Sequence, residues 1–293
     1  MKPAKITIHT LWKKKENGEK VTMLTAYDYP MARIMEAAGV DVILVGDSLA
    51  MVGLGYENTL PVTMEEMLHH TKAVRRGMSR ALLVADMPYL SYQVDPKEAA
   101  ANAGRFIKEA GAEGVKMEGG SWIAEAIGRT LDAQIPVMGH LGLTPQSYHR
   151  MGGYKIQGRT AQAAEHLLEE ALMLERLGVF SMVLEGVPAQ VAKAISEELK
   201  IPTIGIGAGV HCDGQVLVTN DLLGLSVDFA PKFLKRYRQF AREAEKAFTE
   251  YIDEVKASQF PGEEHSFFLN EEEAEKFEER KKLRLWETVK REQ

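Results

Sequence analysis

Five residues with chemistry to offer stand just after short apolar runs: Asp47 in Gly46-Asp-Ser48, Asp86 after Ala85, Glu118 in Lys116-Met-Glu118, His140 after Gly139, and Glu185 in Leu184-Glu-Gly186. They lie 39, 32, 22 and 45 residues apart, so only a fold could gather them. A lone carboxylate at a strand end often does no more than cap the next helix. Five polar residues in consecutive units ask for more, because buried like charges repel and need positive charge to match them. Lys116 supplies one such charge, two residues before Glu118. A divalent cation would neutralise more. Asp47, Asp86 and Glu118 are hard oxygen donors without a cysteine beside them, which suits Mg²⁺ better than zinc. His140, alone on an apolar run, reads equally as a ligand or as a hydrogen-bonding wall residue. Glu185 has no cation in its own segment, Leu184-Glu-Gly-Val-Pro188, and suits a group kept ready to accept a proton.

The elements that must position these residues are legible as apolar runs. Val21–Ala26, Val42–Gly46, Ala81–Ala85, Gly114–Met117, Ile135–Gly139, Ser181–Leu184, Thr203–Ile206 and Gln215–Val218 are each followed by a turn and, in most units, a helical pattern. They are almost wholly apolar rather than alternating, as parallel strands covered on both faces are. Eight β-then-α units predict a closed (β/α)₈ TIM barrel; an open doubly wound sheet is the alternative with the same alternation. In such a barrel the C-terminal strand ends share one mouth, where the five residues would meet. Helices are expected at Pro30–Ala38, Thr63–Gly77, Pro96–Ala110, Ser121–Leu131, Thr160–Leu177 and Ala189–Leu199, with Gly39, Gly77, Gly111 and Gly178 as C-terminal caps. A last helix is expected from Pro231 to about Ser258. Residues 1–265 are read as one barrel with a short N-terminal segment. Residues 266–293 are read as a charged extension, either a solvated helix or a subunit contact.

Composition excludes several classes of function. The 293 residues carry 36 Lys and Arg against 42 Asp and Glu, a net charge of −6, which argues against a nucleic-acid binder. The one cysteine, Cys212, cannot form an internal disulfide, and the opening MKPAKITIHTLWKKKENGEK lacks the apolar core of a signal peptide. No apolar run approaches the roughly 18 residues of a membrane span. A cytoplasmic protein acting on small molecules is expected. Gly205-Ile-Gly-Ala-Gly209 has GxGxG rather than GxGxxG spacing and is read as a tight turn lining the mouth. His69-His70 lacks the His-Glu-x-x-His spacing of a zinc site and is read as surface or packing. Cys212 has no activating motif beside it and is not read as a nucleophile.

Several motifs then occur in order: Val45-Gly-Asp-Ser48, Leu60-Pro-Val-Thr63, Val115-Lys-Met-Glu-Gly119, Gly139-His-Leu-Gly-Leu-Thr-Pro-Gln-Ser147, Gly152-Gly-Tyr-Lys155, Gly205-Ile-Gly-Ala-Gly209, Asp213-Gly-Gln215 and Pro261-Gly-Glu-Glu-His265. Over most of its length, roughly residues 4 to 267, the chain resembles the ketopantoate (3-methyl-2-oxobutanoate) hydroxymethyltransferase family. The resemblance implies a (β/α)₈ barrel, a homodecamer of two pentameric rings, and Mg²⁺. It also implies hydroxymethyl transfer from 5,10-methylenetetrahydrofolate to 3-methyl-2-oxobutanoate, giving 2-dehydropantoate for pantothenate synthesis. Residue by residue, it implies metal-site carboxylates at Asp47, Asp86 and Glu118. Contacts to the 2-oxo acid are implied at Asp47, Ser48, Asp86 and Lys116, a histidine close to the substrate at His140, and the proton acceptor at Glu185. The tail past Phe268 extends beyond the family's usual end. Two other readings compete. A lyase or mutase of the phosphoenolpyruvate type would carry a Lys-Lys-Cys-Gly gating motif, which the sequence lacks. A non-catalytic oxo-acid-binding barrel would have no need of Glu185.

Overall fold

The computed structural model describes residues 4–226 and 231–291. The chain forms two compact units, the first running to Gln239 and the second starting at Phe240. In the first, β1 (Val21–Thr25), β2 (Val42–Val45), β3 (Leu82–Asp86), β4 (Gly114–Glu118), β5 (Val137–Gly142), β6 (Ser181–Glu185), β7 (Thr203–Ile206) and β8 (Gly214–Leu217) pair in sequence order. All pairs are parallel, and β8 closes onto β1. The closed (β/α)₈ barrel predicted from the apolar runs is the fold; the open sheet is not. β5 starts later than its run suggests, after Pro136, whose ring nitrogen has no hydrogen to give a ladder. It continues through His140 to Gly142, so His140 lies within the strand rather than beyond it.

The two-residue period of a strand decides which side chains reach the barrel axis. Val42 and Leu44 of β2, Leu82 and Val84 of β3, Met138 of β5 and Val183 of β6 belong to an axial core. The residues between them, such as Ile43, Leu83, Ala85, Val115, Met117, Met182 and Leu184, belong to a second core against the helices. Continuing the axial rows by two residues gives Asp86 after Val84, His140 after Met138 and Glu185 after Val183. On β4, Lys116 and Glu118 share that row, because Val115 and Met117 face outward. The polar residues therefore follow an apolar plug toward the C-terminal strand ends. Register sets them side by side, with Asp86 opposite Lys116 and Glu118 opposite His140.

Helices join the strands at Tyr29–Ala38, Met64–Arg76, Pro96–Ala110, Ala124–Asp132, Ala161–Leu177 and Ala189–Glu198, close to the expected places. Four of the six starts carry side-chain caps: Thr63 and Glu66 form a reciprocal capping box, Asp95 accepts from the amides of Lys97 and Glu98, and Asp28 and Thr160 accept from the amides of Met31 and Ala163. Gly39, Gly111 and Gly178 end their helices in the left-handed conformation, as expected. Gly77 does not, having φ −87°. It is small for another reason: a Cβ there would fall 2.7 Å from the Tyr29 carbonyl oxygen and 2.8 Å from Ala32 Cβ.

Two segments depart from the sequence reading. The N-terminal lead-in contains a helix, Ile8–Glu16, whose dense lysines conceal a narrow apolar stripe. Leu11 enters the axial core, while Lys14 and Lys15 pair with Asp41 and Asp213 at 3.1 and 2.7 Å. Asp213, part of a quoted motif, also accepts from the Thr203 amide at 2.8 Å, a structural task at the start of β7. The helix expected from Pro231 begins only at Phe240. Residues 231–239 run as irregular chain because Phe233 and Leu234 line the barrel mouth and the Tyr237 amide bonds to the Leu222 carbonyl at 2.8 Å. Apolar side chains committed to that wall leave no stripe for a helix. The second unit contains Phe240–Lys256 and the charged tail helix Glu271–Arg291, in which Lys276 pairs with Glu272 and Glu273. Residues 292–293, the end of the expected tail, lie outside the described residues.

Candidate active site

The barrel mouth is a cavity of about 600 Å³, lined by all seven residues singled out from the sequence: Asp47, Ser48, Asp86, Lys116, Glu118, His140 and Glu185. Ser48 and Glu185 are half-buried and the other five buried. Lys116 Nζ lies 2.8 Å from Asp86 Oδ1 and 3.9 Å from Glu118 Oε1. His140 bridges two carboxylates, with Nδ1 3.5 Å from Glu118 Oε1 and Nε2 3.4 Å from Glu185 Oε2. Ser48 Oγ shares a hydrogen bond of 2.9 Å with the Tyr27 hydroxyl. Glu185 thus has a cationic neighbour after all, one supplied by β5 and invisible in its own segment.

Burial sets the electrostatics and the fixed charges redirect it. Burial disfavours the Lys116 ammonium, but Asp86, Glu118 and Asp47 outweigh it and hold the lysine charged, above its ordinary range. For His140, burial and Lys116 favour the neutral ring, yet Glu118 and Glu185 prevail and its pKa is pushed up to about 9. The ring is then an imidazolium at neutral pH. Lys116 Nζ also lies 3.2 Å from His140 Nδ1. Burial also raises Glu118, but His140, Lys116 and the Gln146 amide reverse this and leave it below the usual carboxylate range. Burial raises Asp86 despite Lys116. Burial with the charges of Glu118 and Asp86 drives Asp47 well above its usual range.

Ionised together, Asp47, Asp86 and Glu118 would crowd three negative charges around Lys116, and this crowding adds to burial in raising Asp47. Glu118 Oε1 and Asp86 Oδ1 are buried without a hydrogen-bond partner, the latter held only by its ion pair with Lys116. Crowded, buried hard oxygen donors of this kind fit a small divalent cation, which would share them with Lys116 and His140. Among the described residues, no three Asp, Glu, His or Cys side chains stand preassembled around one point. That suits Mg²⁺ better than a cation needing an all-protein cage, since Mg²⁺ is commonly held by one or two carboxylates and keeps other positions for water and substrate.

Sequence reasoning missed the residues that brace this site. Gln146 donates its backbone N–H to Glu118 Oε2 at 3.0 Å and its side-chain amide to Asp47 Oδ2 at 2.9 Å. The Tyr92 hydroxyl accepts from the Glu118 amide at 3.0 Å. The signal for Gln146 was Pro145 before it: proline opens a helical turn, and the first amides of a turn have no partner within it. Tyr92 gave no local signal. Of the features read as incidental, the His70 ring bonds the Tyr27 carbonyl at 2.6 Å and Cys212 is buried.

Residues 5–263 match the model of the family described as ketopantoate hydroxymethyltransferase. The chain is 56% identical over 263 residues to a 3-methyl-2-oxobutanoate hydroxymethyltransferase of Geobacter metallireducens, spanning 90% of this chain and 98% of that one. It is 55% identical over 266 residues to the enzyme of that name from Clostridium botulinum strain 657, spanning 91% and 97%. Among solved structures it is similar in fold to a phosphonopyruvate hydrolase complexed with oxalate and Mg²⁺, with a TM-score of 0.58, 12% identity, and 96% and 98% of the two chains covered. That distant likeness accounts for the fold alone, whereas the barrel, its mouth and its sequence together place the chain in the ketopantoate hydroxymethyltransferase family.

Proposed function

We propose that the chain transfers the one-carbon unit of 5,10-methylenetetrahydrofolate to C3 of 3-methyl-2-oxobutanoate, giving 2-dehydropantoate and tetrahydrofolate, with one water supplying the hydroxyl oxygen. The carrying observation is the composition of one buried mouth in a chain of this family. Two fixed cations and three carboxylates adjoin a fourth carboxylate, Glu185, that stands across His140 from them.

The chemical difficulty is a C3–H bond activated only by the neighbouring ketone. Negative charge must be accepted on the 2-oxo oxygen while a base takes the C3 proton. Lys116, held charged, and the Ser48 hydroxyl offer donors already in place for the substrate's carboxylate or developing oxyanion, so little reorganisation accompanies reaction. Glu185 accepts the C3 proton, and the electron pair left on C3 forms the bond to the one-carbon unit. His140 meets one oxygen of Glu185 and keeps the base directed into the mouth. Asp47, Asp86 and Glu118 would hold Mg²⁺, which when bound draws electron density from the 2-oxo carbonyl and favours charge on its oxygen. Apolar walls such as Leu44, Val183 and Ile206 keep bulk water from the base. The cavity of about 600 Å³ has room beyond a five-carbon acid, which supports a second, larger substrate.

Among the described residues, no helix is long and apolar enough to cross a membrane. We place the enzyme in the cytoplasm and expect assembly into the homodecamer that its family resemblance implies.

The test is to incubate the purified protein with both substrates and Mg²⁺ and follow 2-dehydropantoate by mass spectrometry. Product is expected only when both substrates are present. It should disappear in excess EDTA and return with added Mg²⁺. Absence of product would overturn the proposed activity, and undiminished turnover in EDTA would overturn the metal assignment.

A further inference from the structure

Gln146 is buried and both polar atoms of its side chain are engaged. Its side-chain nitrogen donates to Asp47 Oδ2 and to the Met87 carbonyl, each at 2.9 Å. Its side-chain oxygen accepts from the Tyr92 hydroxyl and from Gln93 Nε2, each at 2.8 Å. A flipped amide would set donor against donor at Gln93 and acceptor against acceptor at Met87 and Asp47, so the orientation is fixed by its neighbours. The backbone N–H meanwhile holds Glu118 Oε2. One residue therefore grips carboxylates that come from β2 and β4. A pattern follows across the cluster. Asp86 Oδ2 accepts the Asp47 amide at 3.0 Å, Asp47 Oδ2 accepts Gln146 Nε2, and Glu118 Oε2 accepts the Gln146 amide. Each carboxylate has one oxygen tied by an N–H; the other oxygen of Asp86 faces the Lys116 ammonium at 2.8 Å, and that of Glu118 has only the longer contacts to Lys116 and His140 at 3.9 and 3.5 Å.

We infer that Gln146 is the positioning residue of this cluster, tying one oxygen each of Asp47 and Glu118 so that the remaining oxygens face a common cation. The inference rests on the proposed reading of these carboxylates as the cation site. It makes Gln146 act through Asp47 and Glu118, without touching substrate. Partners of this kind typically contribute about 10–100-fold to metal affinity.

Gln146→Met keeps length and the backbone N–H while removing the amide that holds Asp47. The measurement is Mn²⁺ binding to the substrate-free protein by electron paramagnetic resonance, with Mg²⁺ as competitor, alongside the thermal midpoint. Binding weaker by about 10–100-fold is expected, with kcat partly recovered at high Mg²⁺. Tyr92→Phe is the second variant: it removes the hydroxyl that fixes the Gln146 oxygen and leaves the residues contacting Asp47 in place, so a smaller weakening is expected. It keeps the test decisive if Gln146→Met does not fold. Wild-type Mn²⁺ affinity in either folded variant, even with a lowered thermal midpoint, would reduce Gln146 to a packing role and overturn the inference. A wild-type protein that binds no Mn²⁺ would overturn the cation reading itself, and the inference with it.

Discussion

Glu118 and Glu185 are the same side chain in two settings, and the proposed reaction gives them different work. Glu118 is fully enclosed, braced by the Gln146 amide and flanked by Lys116 and His140. Glu185 is half-buried, with one oxygen toward His140. Replacing Glu185 by Gln keeps shape and removes basicity, so kcat should fall by about 10²–10⁴-fold with oxo-acid and Mg²⁺ affinity largely retained. Replacing Glu118 by Gln should instead weaken Mg²⁺ binding, and excess metal should recover part of the rate. Titrating both variants with Mg²⁺ while following kcat separates them; metal recovery for Glu185→Gln but not for Glu118→Gln would show the roles reversed. The charged candidates and His140 were legible in the sequence because strand ends and the two-residue period fix where a side chain points, while Ser48 came from the family resemblance. Their bracing was not. Tyr92 and Gln146 reach the cluster from connecting segments, through hydrogen bonds that span 26 and 28 residues and leave no periodic mark. The cationic neighbour of Glu185 likewise depends on the pairing of β5 with β6, which no reading of the segment around Glu185 could supply.

Among the elements, the helix Tyr29–Ala38 carries a carboxylate in its last turn, where the helix dipole disfavours one. Glu36 is compensated from outside the helix. It accepts the amides of Ser79, Arg80 and Ala81 and the Ser79 hydroxyl, fixing the approach to β3 and hence the height of Asp86. Although burial acts to raise it, these bonds hold Glu36 below the usual carboxylate range. Its folded pKa is therefore lower than its unfolded value of about 4.3, so its contribution is present above that pH and lost as pH falls through the folded value. Glu36→Gln should destabilise by about 1–2 kcal/mol at neutral pH, discounted for exposure, and the gap from wild type should close on acidification below about pH 4. Urea unfolding at several pH values checks this, and a gap that widened toward acid would contradict it. Strands and capped helices were predictable because local chemistry agrees with the barrel around them. The segment 231–239 was not, because proline followed by apolar residues looks the same whether those residues pack a helix face or line a cavity. The N-terminal helix was hidden similarly, its lysines being engaged with Asp41 and Asp213 at the barrel base.

For the whole molecule, the catalytic proposal needs only the barrel. The family match ends at residue 263, ahead of the tail helix, in which Lys276 and Lys281 pair locally with glutamates three and four residues away. Truncation after Phe268 should therefore leave turnover and particle size unchanged, whereas smaller particles in analytical ultracentrifugation would make the tail a subunit contact. The central claim is that this mouth removes the C3 proton of a 2-oxo acid, with Glu185 as the acceptor. Proton NMR of 3-methyl-2-oxobutanoate in D₂O, with the protein, Mg²⁺ and tetrahydrofolate but no formaldehyde, reads that step directly. The C3 proton signal should be lost in the presence of the wild-type protein, and its loss should be slowed by about 10²–10⁴-fold with Glu185→Gln. A C3 signal that persists with the wild-type protein, or that decays equally fast with Glu185→Gln, would contradict that claim.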